Sequence, residues 1–404
     1  MLSLEIKRKD GENLKQYKVR LYRNKDIYGL TNVEIGELIN KETGDNWDES
    51  AYRKWATSYI EGWDDCLQAG IKDCQLIQDL EDKQDALYKQ QVKTRDKLRE
   101  MRKHLRDEAR IENLLDVFVE CADRITKEKP LEITIKQPNN GSRVGVLQLS
   151  DFHFSETINN FLNTYNHDIF DQRIGQVVSD TIKYCKLMDV DTLKILNQGD
   201  LANGNIHVST RVNSEEDIVY QTMYVAEALS NMMVEFAKHF SLVEFHTVLD
   251  NHSRINKDKK EHIEKESFGR FVPWYMKSRL SQIHNIQIVS NHINGVEEFD
   301  IGVFDIFHEK AFFEHGHNGR LNTTVADLTL MTKIFPIAIF TSHYHKNFED
   351  EVHGIDLIMN PSGVGTNDYA KSIRKSSKAR QKLTIFENND GSVERVSTFF
   401  INLK

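Results

Sequence analysis

Five short polar clusters follow one another in the second half of this 404-residue chain: Asp151-Phe152-His153, Gly199-Asp200, Asn251-His252, His315-Gly316-His317 and His343-Tyr344-His345. Each stands just after an apolar, β-rich run. Neutral imidazole with carboxylate and amide oxygen is a donor set for borderline divalent ions such as Mn, Fe and Zn, and no thiolate is needed. Asp151/His153 and His343/His345 are spaced i, i+2. If extended geometry continues past the strand end, each pair presents two side chains to one side and can address one ion. Alone, Asp-x-His is a strand-end turn and Gly-Asp a turn of any kind; the inference comes from five clusters recurring after strands.

The elements that must position these residues are legible in the runs before them. Val144–Leu149, Leu193–Leu196, Val243–Leu249 and Ile337–Phe340 read as strands buried on one or both faces. Helical patterns intervene at Ile169–Leu187 and Asp217–His239, the alternation expected of stacked βαβ units. The half is therefore read as an α/β domain with two layered sheets. Its site lies at the carboxyl ends of the strands, where open α/β sheets bind ligands.

On these residues the series resembles the calcineurin-like metallophosphoesterase superfamily over residues 143–365, with its run of D-x-H, GD, GNH, a His often followed by Gly-His, and GHxH. The resemblance implies a layered β-sandwich flanked by helices and two divalent ions, Mn first, with Fe, Zn, Ni and Mg as other candidates. It implies that Asp151, His153 and His345 hold one ion, that Asn251, His315 and His343 hold the other, and that Asp200 bridges them. His252 matches the family's acid–base histidine. A water activated between two such ions would attack a phosphoester in line, and Arg254, two residues beyond His252, could steady a phosphate through its planar fork. Two positions depart from the pattern: Asp250 and Ser342 stand where glycines are usual, although Asp and Ser are turn-compatible. His315 and His317 compete for one ligand role, and the family favours the first. The histidines at 167, 207, 246, 262, 284, 292, 308 and 353 fit no position and read as ordinary surface or core residues.

Composition bounds the rest. At 404 residues, 39% hydrophobic and 28% charged, the chain suits a soluble protein of two to three domains. No apolar stretch approaches bilayer length, and the charged start from Met1 to Asp10 lacks a secretory core, so a cytoplasmic location is expected. Cys66, Cys74, Cys121 and Cys185 lack C-x-x-C spacing and read as reduced thiols. A net charge of −9 argues against a protein that coats nucleic acid over its whole surface.

The first third differs in kind, and four segments are expected: helical 1–64, a long helix or coiled coil over 65–130, a linker at 131–142, and the metallophosphoesterase-like domain at 143–404 with a C-terminal β-hairpin. Residues 1–25 carry eight Lys/Arg against three acids, an ordered lead-in or a loose arm. A helix capped by Thr31 or Asn32 breaks at Glu42–Asn46, and a second opens near Asp48 or Ser50. Two helices about a glycine-containing break resemble a helix-turn-helix with Ser50, Arg53 and Lys54 early on the second helix; the plainer reading is a helical hairpin whose Trp55 and Trp63 form a core. Leu76, Leu80, Leu87, Leu98, Met101, Leu105, Leu115 and Val119 recur at sums of three and four, which predicts self-association through a coiled coil. The basic stretch from Lys89 to Arg110 reads as a solvated helix face. After the last His pair, a strand and turn at Asp356–Gly363, a basic segment at Lys371–Lys382 and a hairpin about Asn388–Gly391 complete the chain.

Three functions fit these features. One is a nuclease or phosphodiesterase on DNA, similar in role to SbcD-type exonucleases of the superfamily. The second is a phosphatase or phosphodiesterase on a nucleotide, another small molecule or a phosphoprotein. The third is a non-catalytic interaction protein on the same fold, against which stands a filled set of ligand positions. The layout is also similar to proteins encoded by bacteriophages and prophages.

Overall fold

The computed structural model describes residues 6–68, 79–102, 105 and 141–404. They fall into two compact units, one within Met1–Glu108 and one within Ala109–Lys404. In the first, α1 (Leu14–Arg23) begins at Asn13, whose side chain and that of Gln16 cap each other's backbone. The short α2 (Lys25–Tyr28) ends on left-handed Gly29. The third helix, α3 (Asn32–Thr43), opens on a capping box between Thr31 and Glu34 and stops at Gly44, at φ 75°; α4 (Glu49–Gln68) follows. Tyr17, Leu21, Ile35, Ile39 and Tyr52 make the core. Trp55 and Trp63 lie outside it, in a ladder along α4 in which Tyr59 stacks on both. The expected helical pair is present, but its hydrophobic centre is earlier in the sequence than the tryptophans.

A further helix, α5, spans 79–102. Its Glu81 accepts a hydrogen bond from the Tyr59 hydroxyl at 2.8 Å and pairs with Lys15 at 3.4 Å. Leu80, Leu87, Leu98, Met101 and Leu105 of the expected stripe are all exposed on the chain. Leu76, Leu115 and Val119, and the expected linker before residue 141, lie outside the described residues, as do Cys74 and Cys121.

The second unit comprises, in order, β1 (Arg143–Leu149), β2 (Ile158–Asn159), β3 (Thr164–Tyr165), α6 (His167–Leu187), β4 (Thr192–Asn197), α7 (Val208–Val212), α8 (Ile218–Ala237), β5 (Leu242–Thr247), α9 (Phe271–Arg279), β6 (Ile286–Val289), β7 (His292–Ile293), β8 (Val296–Glu297), β9 (Ile301–Ile306), β10 (Glu309–Glu314), α10 (Thr324–Thr332), β11 (Ala338–Thr341), β12 (Phe348–Val352), β13 (Ile355–Met359), α11 (Asp368–Ser372), β14 (Arg380–Asn389) and β15 (Ser392–Asn402). One sheet runs β15-β14-β1-β4-β5-β6 and the other β12-β13-β11-β10-β9. The first is parallel from β1 to β6, and the terminal hairpin adds antiparallel against β1.

The two sheets are layered because period-two alternation gives each strand an inward row. Val144, Val146 and Leu196 of the first sheet, with Val248 just past β5, pack on Phe304, Phe313, Phe340 and Ile358 of the second. Leu147, Leu149, Ile195 and Phe245 instead join the large cluster formed with helices α6, α8 and α9. Where that inward row approaches the strand ends it turns polar: Gln148 Nε2 donates to Gln198 Oε1 at 2.9 Å and toward the Ile358 carbonyl at 3.4 Å, bridging the sheets.

A second polar set, on the strands that lead into the second and third clusters, gives a pH prediction. Lys194 and Glu244 stand opposite each other on β4 and β5. The Glu244 carboxylate accepts from the Lys194 ammonium and lies 3.0 Å from His246 Nε2. Burial opposes its charge, but His246 and Lys194 hold its pKa down to about 2 against the usual 4.5. A depressed carboxylate stabilises the fold fully above its unfolded value, and that contribution is lost as pH falls through the folded one. Glu244→Gln should therefore cost on the order of 2 kcal/mol near pH 7, because it leaves the Lys194 ammonium without its counter-charge. The difference in Tm between wild type and variant should shrink as pH falls from 4.5 toward 2. A pH-independent difference would contradict this assignment.

Candidate metal centre

All five clusters arrive at one place. Asp151 follows β1, Asp200 follows β4, Asn251 follows β5, His315 follows β10 and His343 follows β11. The i, i+2 pairs do not use the continued extended geometry expected from the sequence. Left-handed backbone occurs at Asp151 (φ 54°), His153 (φ 46°), Asp200 (φ 51°), His343 (φ 70°) and His345 (φ 53°). The chain turns sharply at each strand end, and the paired side chains meet through that turn. Such conformations cost roughly 1–3 kcal/mol each and persist only where surroundings enforce them. Here Asp151 N–H donates to the Gly199 carbonyl at 3.1 Å and His153 N–H to the Asp200 carbonyl at 2.9 Å, tying the first two turns together. Gly199, at φ 93°, cannot carry a side chain, since a Cβ there would sit 2.4 Å from Asp250 Cβ.

Asp200 lies at the middle. Its Oδ2 is 3.1 Å from His315 Nε2, 3.8 Å from His252 Nε2 and 3.9 Å from His153 Nε2. On one side His153 Nε2 and His345 Nε2 face each other at 3.3 Å, and His345 Nε2 is 3.2 Å from Asp151 Oδ1. On the other side His315 Nε2 is 2.9 Å from Asn251 Oδ1 and 3.2 Å from His343 Nδ1. Three sets of candidate ligand atoms result: Asp151, His153 and His345; Asp200, His315 and His343; and His153, Asp200 and His252. His317 stands behind, its ring 5.3 Å from that of His315.

Hydrogen bonds behind the donors orient them. His315 Nδ1 lies 2.7 Å from the Gln198 carbonyl, so it donates there and Nε2 is left for the pocket. His252 does the same through Nδ1 to the Asn203 carbonyl at 2.6 Å. Burial together with His252 holds His153 down to about 3, and burial together with His315 holds His343 down to about 4, which keeps both imidazoles in the neutral, ligating form at pH 7. Burial would also lower His315, yet Asp200, Asp151 and Asp250 carry it up to about 10.

The donors fit divalent cations. They are nitrogen and oxygen only, and the buried Asp151 Oδ1 has no hydrogen-bond partner. Facing lone pairs at 3 Å are satisfied by an ion between them.

Both departures from the family pattern have a structural use. Asp250 Oδ1 accepts the Ser253 N–H at 2.6 Å, so this carboxylate serves the backbone of the Asn251–His252 turn. Burial and the neighbouring Asp200 push its pKa up to about 6. The Ser342 hydroxyl donates to the His315 carbonyl at 2.9 Å and so links the fourth and fifth clusters. Arg254 belongs to none of the three ligand sets; it is buried one turn beyond His252, in a bridge with Ser267. Glu156, which no sequence pattern marks, lies buried near the site, bound to Asn367 at 3.2 Å, and burial pushes it up to about 7.

Residues 2–69 match a family model described as the YonJ N-terminal domain. Over 399 residues the chain is 29% identical to the SPbeta prophage-derived protein YonJ of Bacillus subtilis (strain 168), a similarity covering 96% of this chain and 97% of that protein. Among solved structures the chain is similar to an archaeal phosphodiesterase, with 12% identity and a TM-score of 0.31 over 62% of this chain and 98% of that one. It is likewise similar to Vacuolar Protein Sorting 29 from Cryptosporidium parvum, with 13% identity and a TM-score of 0.30 over 64% of this chain and 98% of that one.

Proposed function

We propose that the protein is a two-metal phosphoester hydrolase of the calcineurin-like type acting on DNA phosphodiesters. The observation that carries the reading is Asp200, a buried carboxylate that belongs both to a ligand set with His315 and His343 and to one with His153. Asp151, His153 and His345 would hold one ion and Asn251, His315 and His343 the other, with Asp200 between them. Manganese is the proposed occupant. Bound cations supply a more acidic water and charge neutralisation on the phosphoryl oxygens.

The remaining work falls to this chain's own groups. His252 has Nδ1 committed to the Asn203 carbonyl and Nε2 turned toward Asp200, so a proton on Nε2 is aimed at the leaving oxygen of a substrate held there. Arg254 would take a substrate phosphate. The exposed basic residues Arg53 and Lys54 on α4, and Arg374, Lys375 and Lys378 after α11, support a nucleic-acid substrate. Similarity to a prophage-derived protein over nearly the whole chain supports a phage origin. Among the described residues no helix is long and apolar enough to cross a membrane. Coiled-coil pairing of α5 remains part of the proposal, since its apolar stripe is uncovered on the single chain.

Purified protein with manganese should degrade end-labelled single- or double-stranded DNA, and chelation should stop it. Hydrolysis of bis-p-nitrophenyl phosphate with no action on any DNA would replace the nuclease by a small-molecule phosphodiesterase.

A further inference from the structure

Arg254 is only 7% exposed. Among the described residues its guanidinium makes no ion pair and no hydrogen bond, and its Nε is buried without a partner. Arginine is almost never buried unpaired, because removing its charge from water costs several kcal/mol that only a counter-anion offsets. The backbone prevents escape: Arg254 bridges to Ser267, and the next residue's N–H donates to the Glu266 carbonyl at 3.2 Å.

Two histidines that fit no position of the metal pattern lie close enough to feel its charge. His207, just before α7, has its ring 6.5 Å from that of His252, edge to face. His262, on the loop returning from Arg254, has a buried Nδ1 with no partner. Burial, then His252, then Arg254 hold His207 below its ordinary value, and burial and Arg254 do the same for His262 against Glu266. Each can offer an imidazole N–H beside one fixed positive charge.

Neither Arg254, His207 nor His262 belongs to a candidate ligand set, whereas His252 touches both groups of residues. From this juxtaposition we propose that Arg254, His207 and His262 form a second anion subsite, which binds a phosphate of the substrate other than the one hydrolysed. The inference rests on the phosphoesterase reading and sharpens its substrate class. A compound with two phosphates on one backbone, as in consecutive nucleotides of a strand, is preferred over one with a single phosphate. Arg254 supplies charge-assisted hydrogen bonds and the two imidazoles supply neutral ones.

Calorimetric titration of the manganese-loaded full chain with thymidine 5′-monophosphate and thymidine 3′,5′-bisphosphate tests this, since the base contribution is common to both. The wild type should prefer the bisphosphate by on the order of 10- to 100-fold, falling to within about threefold in Arg254→Gln and in His262→Gln. Arg254→Lys should keep part of the preference, as it keeps the charge. The ligand-free Tm of Arg254→Gln should stay level or rise, because an unpaired buried charge has been removed. Equal affinities in the wild type, an undiminished preference in both Gln variants, or a lowered Tm in Arg254→Gln with the preference intact would overturn the subsite. A bisphosphate preference that depends on Arg254 in a protein that hydrolyses nothing would retain the subsite and remove only the hydrolase reading.

Discussion

Asp200→Asn is expected to lower metal-dependent hydrolysis by on the order of 10³-fold or more while leaving the fold intact. The substitution changes one oxygen to an amide and keeps the volume, so the left-handed backbone at φ 51° is equally accessible. What disappears is the negative charge 3.1 Å from His315 Nε2 and 3.9 Å from His153 Nε2, around which both ligand sets gather. An amide has one oxygen to offer and cannot bridge two cations with full charge. The bound manganese per chain, measured by elemental analysis after gel filtration, should fall from two to one or none. Retention of two ions and of activity would remove Asp200 from its assigned place.

His252→Ala is the second large effect, and its signature is different. Metal content should be retained, since His252 is no part of the two principal ligand sets, while kcat on DNA should fall by about 10² to 10⁴. The loss must depend on the leaving group if His252 donates a proton. An alkoxide leaving from DNA needs that proton; p-nitrophenolate does not. The variant should therefore be impaired much less on bis-p-nitrophenyl phosphate than on DNA. An equal loss on both substrates would assign His252 to positioning, through its 2.6 Å bond to the Asn203 carbonyl, instead of acid catalysis.

The legible part of this molecule was the part in which chemistry and periodicity coincide. Val144–Leu149, Leu193–Leu196 and Val243–Leu249 announced β1, β4 and β5 because both faces of a central parallel strand are buried. The candidate ligand residues stood out because imidazoles and carboxylates came directly after those runs. Edge elements were not: β12, Phe348–Val352, is a charged edge strand without an apolar row, and β9, Ile301–Ile306, contains Gly302, against which the Phe313 ring lies. The left-handed turns were invisible as well, since Asp and His carry no local signature that separates an extended strand end from a reversed one. Asp250 and Ser342 read as defects in a glycine pattern, and only their hydrogen bonds to the Ser253 N–H and the His315 carbonyl reveal their use. His207 and His262 read as incidental, because their relation to Arg254 exists only in three dimensions.

The central claim is that two cations sit on either side of Asp200. Anomalous diffraction from crystals grown with manganese tests it most directly. Two peaks are predicted, one among Asp151, His153 and His345, the other among Asn251, His315 and His343, with Asp200 touching both. A pocket without peaks at saturating manganese, or a single peak remote from Asp200, would contradict the account.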